Sequence, residues 1–156
     1  MKLGEALALR ADMHARQSQL AKAIEANARY QEGEQPAEDA KALLAESLKL
    51  ADDLAVLCTR INLTNAATSL GSGTVTAALA QRDALRSRQK ILQDALTAAV
   101  GKDTYGYMRR TTRTELVDVV ALNVAAIRRE QTAVTTALRE LDNQIQQVGW
   151  ATDLAD

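Results

Sequence analysis

Two groups of residues in this 156-residue chain could do chemistry, and both suit the binding of an anion. Arg82, Asp83 and Arg86 lie close together in a predicted helix, and a guanidinium group can hold a carboxylate or phosphate through two parallel hydrogen bonds. Arg82 and Asp83 point about 100° apart on a helix, so one site need not include both. The second group is a tyrosine–arginine loop before another predicted helix, a position that suits anions; it contains Tyr105, Tyr107, Arg109, Arg110 and Arg113.

The same loop also has the composition of a protein interface. Tyrosine and arginine are enriched where proteins contact each other, and they contribute much of the binding energy there. We therefore favour an oligomer contact over a ligand site for this loop.

Metal and nucleophile chemistry have little support. A di-iron bundle needs Glu-x-x-His pairs on two helices, whereas this chain has one histidine, His14, preceded three residues earlier by Ala11. A zinc site built on cysteine and histidine would need more than Cys58 and His14. We interpret His14 as a surface or core-edge residue and Cys58 as a small buried thiol. The predictions are no enzyme, no catalytic residues, no metal and no cofactor.

The composition predicts helices around an aliphatic core. The chain has no Phe, one Pro and seven Gly, and it is rich in residues that favour helices. Its 19 basic and 20 acidic residues nearly cancel, whereas nucleic-acid binders usually show a basic excess or stripe. No apolar run approaches the roughly 20 residues of a membrane span. With one cysteine and no signal-peptide pattern, we expect a cytoplasmic protein that binds no nucleic acid and is not integral to a membrane.

Apolar residues at helical spacing predict four long helices, at about 3–30, 36–64, 74–100 and 114–148. Pro36 is expected in the first turn of the second helix, and the fourth helix opens with the capping-box spacing of Thr112 and Glu115 and ends at Gly149. In the second helix the main stripe is Leu43, Ser47, Leu50, Leu54, Leu57 and Ile61. This stripe is expected to be widened by Leu44, Leu48, Ala51 and Cys58.

The segments between the helices carry turn residues. QEGEQP at 31–36 supplies Gly33 as a stop signal for the first helix. Asn65 and the GSG sequence at 71–73 are interpreted as turn residues after the second helix. GSG is too short for a phosphate-binding loop, and no strand is predicted before it.

Long helices joined by short turns predict an all-α fold with one domain over residues 1–156. We expect an antiparallel bundle of four long helices with coiled-coil-like packing. The main alternative is a pair of long antiparallel hairpins that complete their core only in an oligomer.

Polar residues interrupt each apolar stripe near the middle of its helix; they are Gln17, Ser47, Gln89 and Gln131. In an antiparallel bundle these residues would form a polar layer at mid-height. We interpret the layer as a device that fixes register and oligomeric state. The alternative is a buried site for a polar ligand, formed by Gln17, Arg82, Asp83, Arg86, Gln89 and Gln131.

Five segments resemble the septicolysin-like family of small bacterial proteins. They are QEGEQPAED at 31–39, RINLTNAAT at 60–68, QRDAL at 81–85, TELVDVVAL at 114–122 and ELDNQIQQVGW at 140–150. The resemblance covers nearly the whole chain and implies a long-helix, all-α fold and self-association. The family's name implies a cytolysin, and the resemblance supplies no catalytic residues. Family members often end the last segment in Asn-Trp, where this chain has Gly149-Trp150, and the loop before Thr114 also departs from the family pattern.

These observations predict a non-enzymatic, self-associating helical-bundle protein with a structural or protein-interaction role. One alternative is a membrane-active protein, whose helices would have to lay their apolar faces in lipid. A further alternative is a binder of a small anionic ligand that uses the arginines of both groups above. Trp150, near the chain end, is expected to dock on its own domain or on a neighbouring subunit.

Overall fold

A computed structural model describes residues 1–100 and 119–155. Within these residues the chain forms four helices and one small antiparallel hairpin; they are α1 (Leu3–Asn27), α2 (Ala40–Ala67), β1 (Ser69–Leu70), β2 (Gly73–Thr74), α3 (Val75–Val100) and α4 (Val124–Ala151). The predominantly helical fold is therefore confirmed, with the hairpin as an addition.

The chain divides into two compact units. The first comprises Met1–Thr76 and Ile145–Asp156, and the second comprises Ala77–Gln144. The arrangement of all four helices as one bundle in a single domain stays a prediction.

In the first unit, α1 and α2 pack as an antiparallel pair. The beginning of α1 meets the end of α2 in an aliphatic core formed by Leu3, Ala6, Leu57, Ile61 and Leu154. Farther along the pair, Arg16 donates two hydrogen bonds to one carboxylate oxygen of Glu46, from Nε at 2.9 Å and from Nη2 at 2.7 Å. Burial of aliphatic surface, at about 25 cal/mol per Å², is the main term that holds such a pair together.

The second unit contains most of α3 and α4, which also run antiparallel. Arg88 Nη2 lies 2.6 Å from Glu130 Oε1, and Gln131 Nε2 donates to Gln93 Oε1 at 2.7 Å. Gln89 contacts Thr135 Oγ1 at 3.3 Å. The partners on α4 move from 135 to 131 as those on α3 move from 89 to 93, which is the order of an antiparallel pair. Val134 is buried in this unit.

Helix α2 begins at Ala40, so the prediction that Pro36 lies in its first turn is wrong. Asp39 caps the helix, because its carboxylate accepts hydrogen bonds from the backbone N–H groups of Lys41 at 2.9 Å and Ala42 at 3.4 Å. These hydrogen bonds satisfy N–H groups that have no partner within the helix, and they favour a start at Ala40.

A buried asparagine holds the connection between α1 and α2. Asn27 is 7% exposed, donates from Nδ2 to the carbonyl oxygen of Ala23 at 2.9 Å and accepts at Oδ1 from the backbone N–H of Glu38 at 3.0 Å. Helix α1 ends at Asn27, three residues before the predicted end. The turn expected at Gly33 is present, with a φ of +95°.

The break after α2 lies later than predicted. Asn65 is inside α2 and buried, so its interpretation as a turn residue is wrong. The chain turns at Gly71, where φ is +60°, and Leu70 pairs with Gly73. A positive φ at the first central residue alone is the pattern of a type II′ turn. The interpretation of GSG as a turn is confirmed.

Helix α4 begins at Val124, about ten residues after the predicted start. Residues 119–123 are not helical, and Asn123 caps α4 by accepting a hydrogen bond from the N–H of Ala126 at 3.0 Å. Thr112 and Glu115 lie outside the described residues. At its other end α4 continues to Ala151, so the prediction that Gly149 ends the helix is also wrong.

The two chain ends meet in the first unit. The backbone of Leu3 donates to Thr152 and that of Leu154 donates to Met1, both at 2.9 Å. Lys2 Nζ lies 2.9 Å from a carboxylate oxygen of Asp153. The hydrogen bond from Lys2 and its positive charge lower the pKa of Asp153.

Trp150 docks on its own domain, over the backbone of Gly4. A Cβ atom added at Gly4 would lie 2.7 Å from Trp150 Cδ2 and 2.8 Å from Cε3, whereas one added at Gly149 would meet nothing within 4 Å. The ring is still 59% exposed. Glycine at position 4 therefore allows the indole to approach the start of α1.

Replacement of Gly4 by alanine is expected to displace the indole of Trp150 and to lower the free energy of unfolding. The fluorescence of Trp150, the one tryptophan in the chain, should shift to longer wavelength as the ring gains contact with water. Gly149→Ala is the matched control, because the new methyl group has space and alanine favours the helix by about 0.5–1 kcal/mol. Unchanged emission in Gly4→Ala would contradict the close packing.

Candidate functional site

The second unit brings the predicted residues Arg82, Asp83 and Arg86 together and adds Asp142 from α4. Arg82 Nη1 lies 4.0 Å and Arg86 Nη2 lies 3.9 Å from the carboxylate oxygens of Asp142. Asp83 Oδ1 lies 3.6 Å from Arg82 Nε and 4.0 Å from Arg86 Nη1. We call these four residues the Arg–Asp cluster.

The Arg–Asp cluster has no net charge, since two carboxylates balance two guanidinium groups. Its separations of 3.6–4.0 Å exceed the 2.7–2.9 Å of tight charge-assisted hydrogen bonds. Arg82 Nε is buried and has no hydrogen-bond partner, the one such side-chain atom in the described part of the chain. Loose, compensated pairs of this kind orient α3 against α4 better than they attract an anion.

Sequence reasoning missed Asp142, although its position carried a signal. It lies four residues after Leu138 and three before Ile145, so it is on the side of α4 that the apolar stripe marks. An acid on that side is the natural partner for arginines on an antiparallel neighbour.

The predicted polar layer is divided between the two units. Gln89 and Gln131 belong to the second unit, where both are half-buried and hydrogen-bonded to the facing helix, to Thr135 and to Gln93 respectively. Gln17 and Ser47 belong to the first unit and are also half-buried. Amide side chains that bond across α3 and α4 fit a register role in that pair. A layer across all four helices stays a prediction.

The remaining candidates offer little for chemistry. His14 is exposed, and Cys58 is half-buried and free. Across residues 1–100 and 119–155, no three His, Cys, Asp or Glu side chains are grouped so that they could hold a metal ion. The tyrosine–arginine loop lies outside the described residues; its members are Tyr105, Tyr107, Arg109, Arg110 and Arg113.

The most prominent surface feature is a row of exposed aliphatic side chains along α2. Leu44 is 50% exposed, Leu48 60%, Val56 63% and Leu63 56%. We call these four residues the outer face of α2. They span about 29 Å at 1.5 Å per residue. The C-terminal part of this face borders a shallow depression lined by Ala55, Val56, Thr59, Arg60 and Leu63.

The prediction that Leu44, Leu48 and Ala51 widen the buried face of α2 is therefore wrong, because all three are exposed. The side that packs on α1 is buried at Leu54, Leu57 and Ile61. Leu44 and Leu48 each follow a residue of the inner stripe by one position, which turns them about 100° around the helix. Exposed apolar side chains grouped on one side of a helix in this way usually mark an interaction surface.

The chain belongs to a family of unknown function, DUF6847, whose sequence profile matches residues 10–154. It is also similar to a solved crystal structure, that of a functionally unknown conserved protein from Corynebacterium diphtheriae. The two chains are 32% identical, with a TM-score of 0.86 and 99% of each chain covered. The comparison with curated proteins gives no match. The resemblance to the septicolysin-like family stays a prediction.

Among the described residues, no helix combines the length and the apolar character that a membrane span requires.

Proposed function

We propose that this protein is a non-catalytic, self-associating helical protein that acts by binding proteins through the outer face of α2. The observation that carries the proposal is the exposure of Leu44, Leu48, Val56 and Leu63, each at least half exposed on one helix. Burial of these side chains against a partner would remove apolar surface from water, at about 25 cal/mol per Å². Coiled-coil-like packing of long antiparallel helices and a cytoplasmic location belong to the same proposal.

The geometry supports the alternative functions less well. An anion would have to displace Asp83 or Asp142 from the Arg–Asp cluster before it met an uncompensated guanidinium group. Membrane activity would need a broad apolar face, whereas the outer face of α2 is interrupted by the exposed charges of Lys49 and Asp52. A flat lipid surface would leave these charges poorly hydrated.

Sedimentation velocity of two matched variants tests the proposed function. Leu48→Gln removes an apolar side chain from the outer face, where Leu48 is 60% exposed, and Ile91→Gln makes a similar change on α3, where Ile91 is 63% exposed. We expect Leu48→Gln to raise the dissociation constant of self-association about tenfold, which corresponds to about 1.4 kcal/mol. We expect Ile91→Gln to leave it unchanged.

Both variants should fold normally, since surface substitutions usually change stability by no more than about 0.5 kcal/mol. Equal effects of Leu48→Gln and Ile91→Gln on association would contradict a specific role for the outer face.

A further inference from the structure

We propose that the occupant of the outer face at Leu44 and Leu48 is the same segment of α2 in a second copy of the chain, running antiparallel about a two-fold axis beside Glu46 and Ser47. This inference rests on the proposed function and deepens it, because it specifies the partner, its direction and its register.

The first observation is a second heptad seam on α2. Leu44, Leu48, Ala51 and Ala55 follow one another at intervals of four, three and four residues, and all are exposed. This is the spacing of a coiled-coil seam. It is displaced by one residue from the seam that packs on α1, so α2 can pack on two neighbours. The small side chains of Ala51 and Ala55 let a facing helix approach closely.

The second observation is a pair of opposite charges on one flank of this seam. Lys41 and Asp52 are both exposed and stand 11 residues apart, which is about three helical turns, so they lie on the same side of α2. Across the described residues, neither forms an ion pair. A lysine and an aspartate at this separation cannot reach each other within one helix, but they can each reach a second copy.

The flank on which these charges lie determines the direction of the partner. In an antiparallel pair, each flank of a seam meets the same flank of the other helix. An axis beside residues 46 and 47 then places Lys41 opposite Asp52 of the second copy, and the two-fold symmetry forms this ion pair twice. In a parallel pair each flank meets the opposite flank, which on α2 carries Ser47 and Leu54 on the side that packs on α1. Neither charge would find a partner there.

The same two-fold axis also brings the exposed leucines of the two copies into contact. Leu44 of one copy then lies beside Leu48 of the other, again twice, so four leucines form an apolar centre between two Lys–Asp pairs. An apolar centre with a polar rim is the usual anatomy of a protein interface. The overlap covers residues 41–52 of each copy, and Val56 and Leu63 lie beyond it.

Charge reversal with rescue tests this register, with the dissociation constant of self-association measured by sedimentation at low salt. Lys41→Glu and Asp52→Lys should each weaken association about tenfold, because each places like charges opposite each other twice. The double variant should return to within about threefold of the native value, since the ion pair is restored with reversed sign. Lys41→Glu places an acid in the first turn of α2, where it suits the helix dipole, so folding should be retained.

Asp53→Lys is the matched control, because Asp53 is also exposed and points about 100° away from Asp52 on the same helix. It should change association by less than about twofold, as rim charges outside a contact do. If the native chain associates and the single reversals have no effect, or if the double variant fails to recover, the antiparallel register is overturned while self-association stands. If the native chain does not associate at any concentration, the proposed function fails with it.

Discussion

Replacement of Ile61 by alanine is expected to lower the free energy of unfolding by about 2–5 kcal/mol, the range for large-to-small changes in packed cores. Ile61 is 1% exposed and belongs to the core in which the beginning of α1, the end of α2 and Leu154 meet. Its loss would leave a cavity that these elements cannot close without breaking other contacts. Urea unfolding followed by circular dichroism measures the change.

Leu63→Ala is the matched control for that experiment. Leu63 lies two residues farther along the same helix and is 56% exposed. Its truncation should cost no more than about 0.5 kcal/mol in the monomer, as for most surface substitutions. Comparable losses at positions 61 and 63 would mean that the face of α2 that packs on α1 has been assigned incorrectly.

Replacement of Asn27 by alanine is expected to lower the free energy of unfolding by about 1–3 kcal/mol, the cost of leaving buried hydrogen-bonding groups without partners. The backbone N–H of Glu38 would lose its acceptor at 3.0 Å. Hydrogen exchange at that N–H offers a local readout, and it should become faster in the variant relative to the rest of the first unit.

Asn143→Ala provides the comparison, because Asn143 is an exposed residue inside α4. Alanine favours a helix over asparagine by up to about 0.7 kcal/mol, so this variant should be neutral or slightly more stable. If Asn27→Ala behaves in the same way and exchange at Glu38 is unaltered, the hydrogen bonds of Asn27 do not stabilise the connection between α1 and α2.

The helices were predictable because their apolar stripes are long and regular. Leu57 and Ile61 were expected in the core from the four-residue interval that separates them, and both are buried. A repeating pattern averages over many residues, so single exceptions such as Gly149 do not obscure it. The aliphatic character of the core followed in the same way from a chain without Phe.

Helix starts were harder to predict, because several residues nearby could each serve as a cap. Pro36 and Asp39 both favour the start of α2, and which of them acts depends on the path of the preceding connection, which Asn27 holds through Glu38. At α4 the spacing of Thr112 and Glu115 suggested a start far from Asn123. Local sequence signals do not distinguish such caps when tertiary contacts determine where the helix begins.

The sequence also could not show which of two adjacent seams on α2 would be buried. Leu43 and Leu44 are equivalent in hydrophobicity. Only the position of α1 leaves Leu44 exposed while it partly buries Leu43. The candidate residues of the Arg–Asp cluster were identified except for Asp142, because the contact joins residues about 60 positions apart along the chain. The position of Asp142 indicates only the side of α4 on which it lies, and the alignment of α3 with α4 determines which arginines it meets.

Sedimentation equilibrium of the native chain over a wide range of concentrations tests most directly whether the outer face of α2 joins two copies of this protein. The predicted result is a weight-average mass that rises with concentration from that of one chain towards that of two and then levels off. A mass that stays at one chain even at the highest concentrations would contradict self-association through this surface.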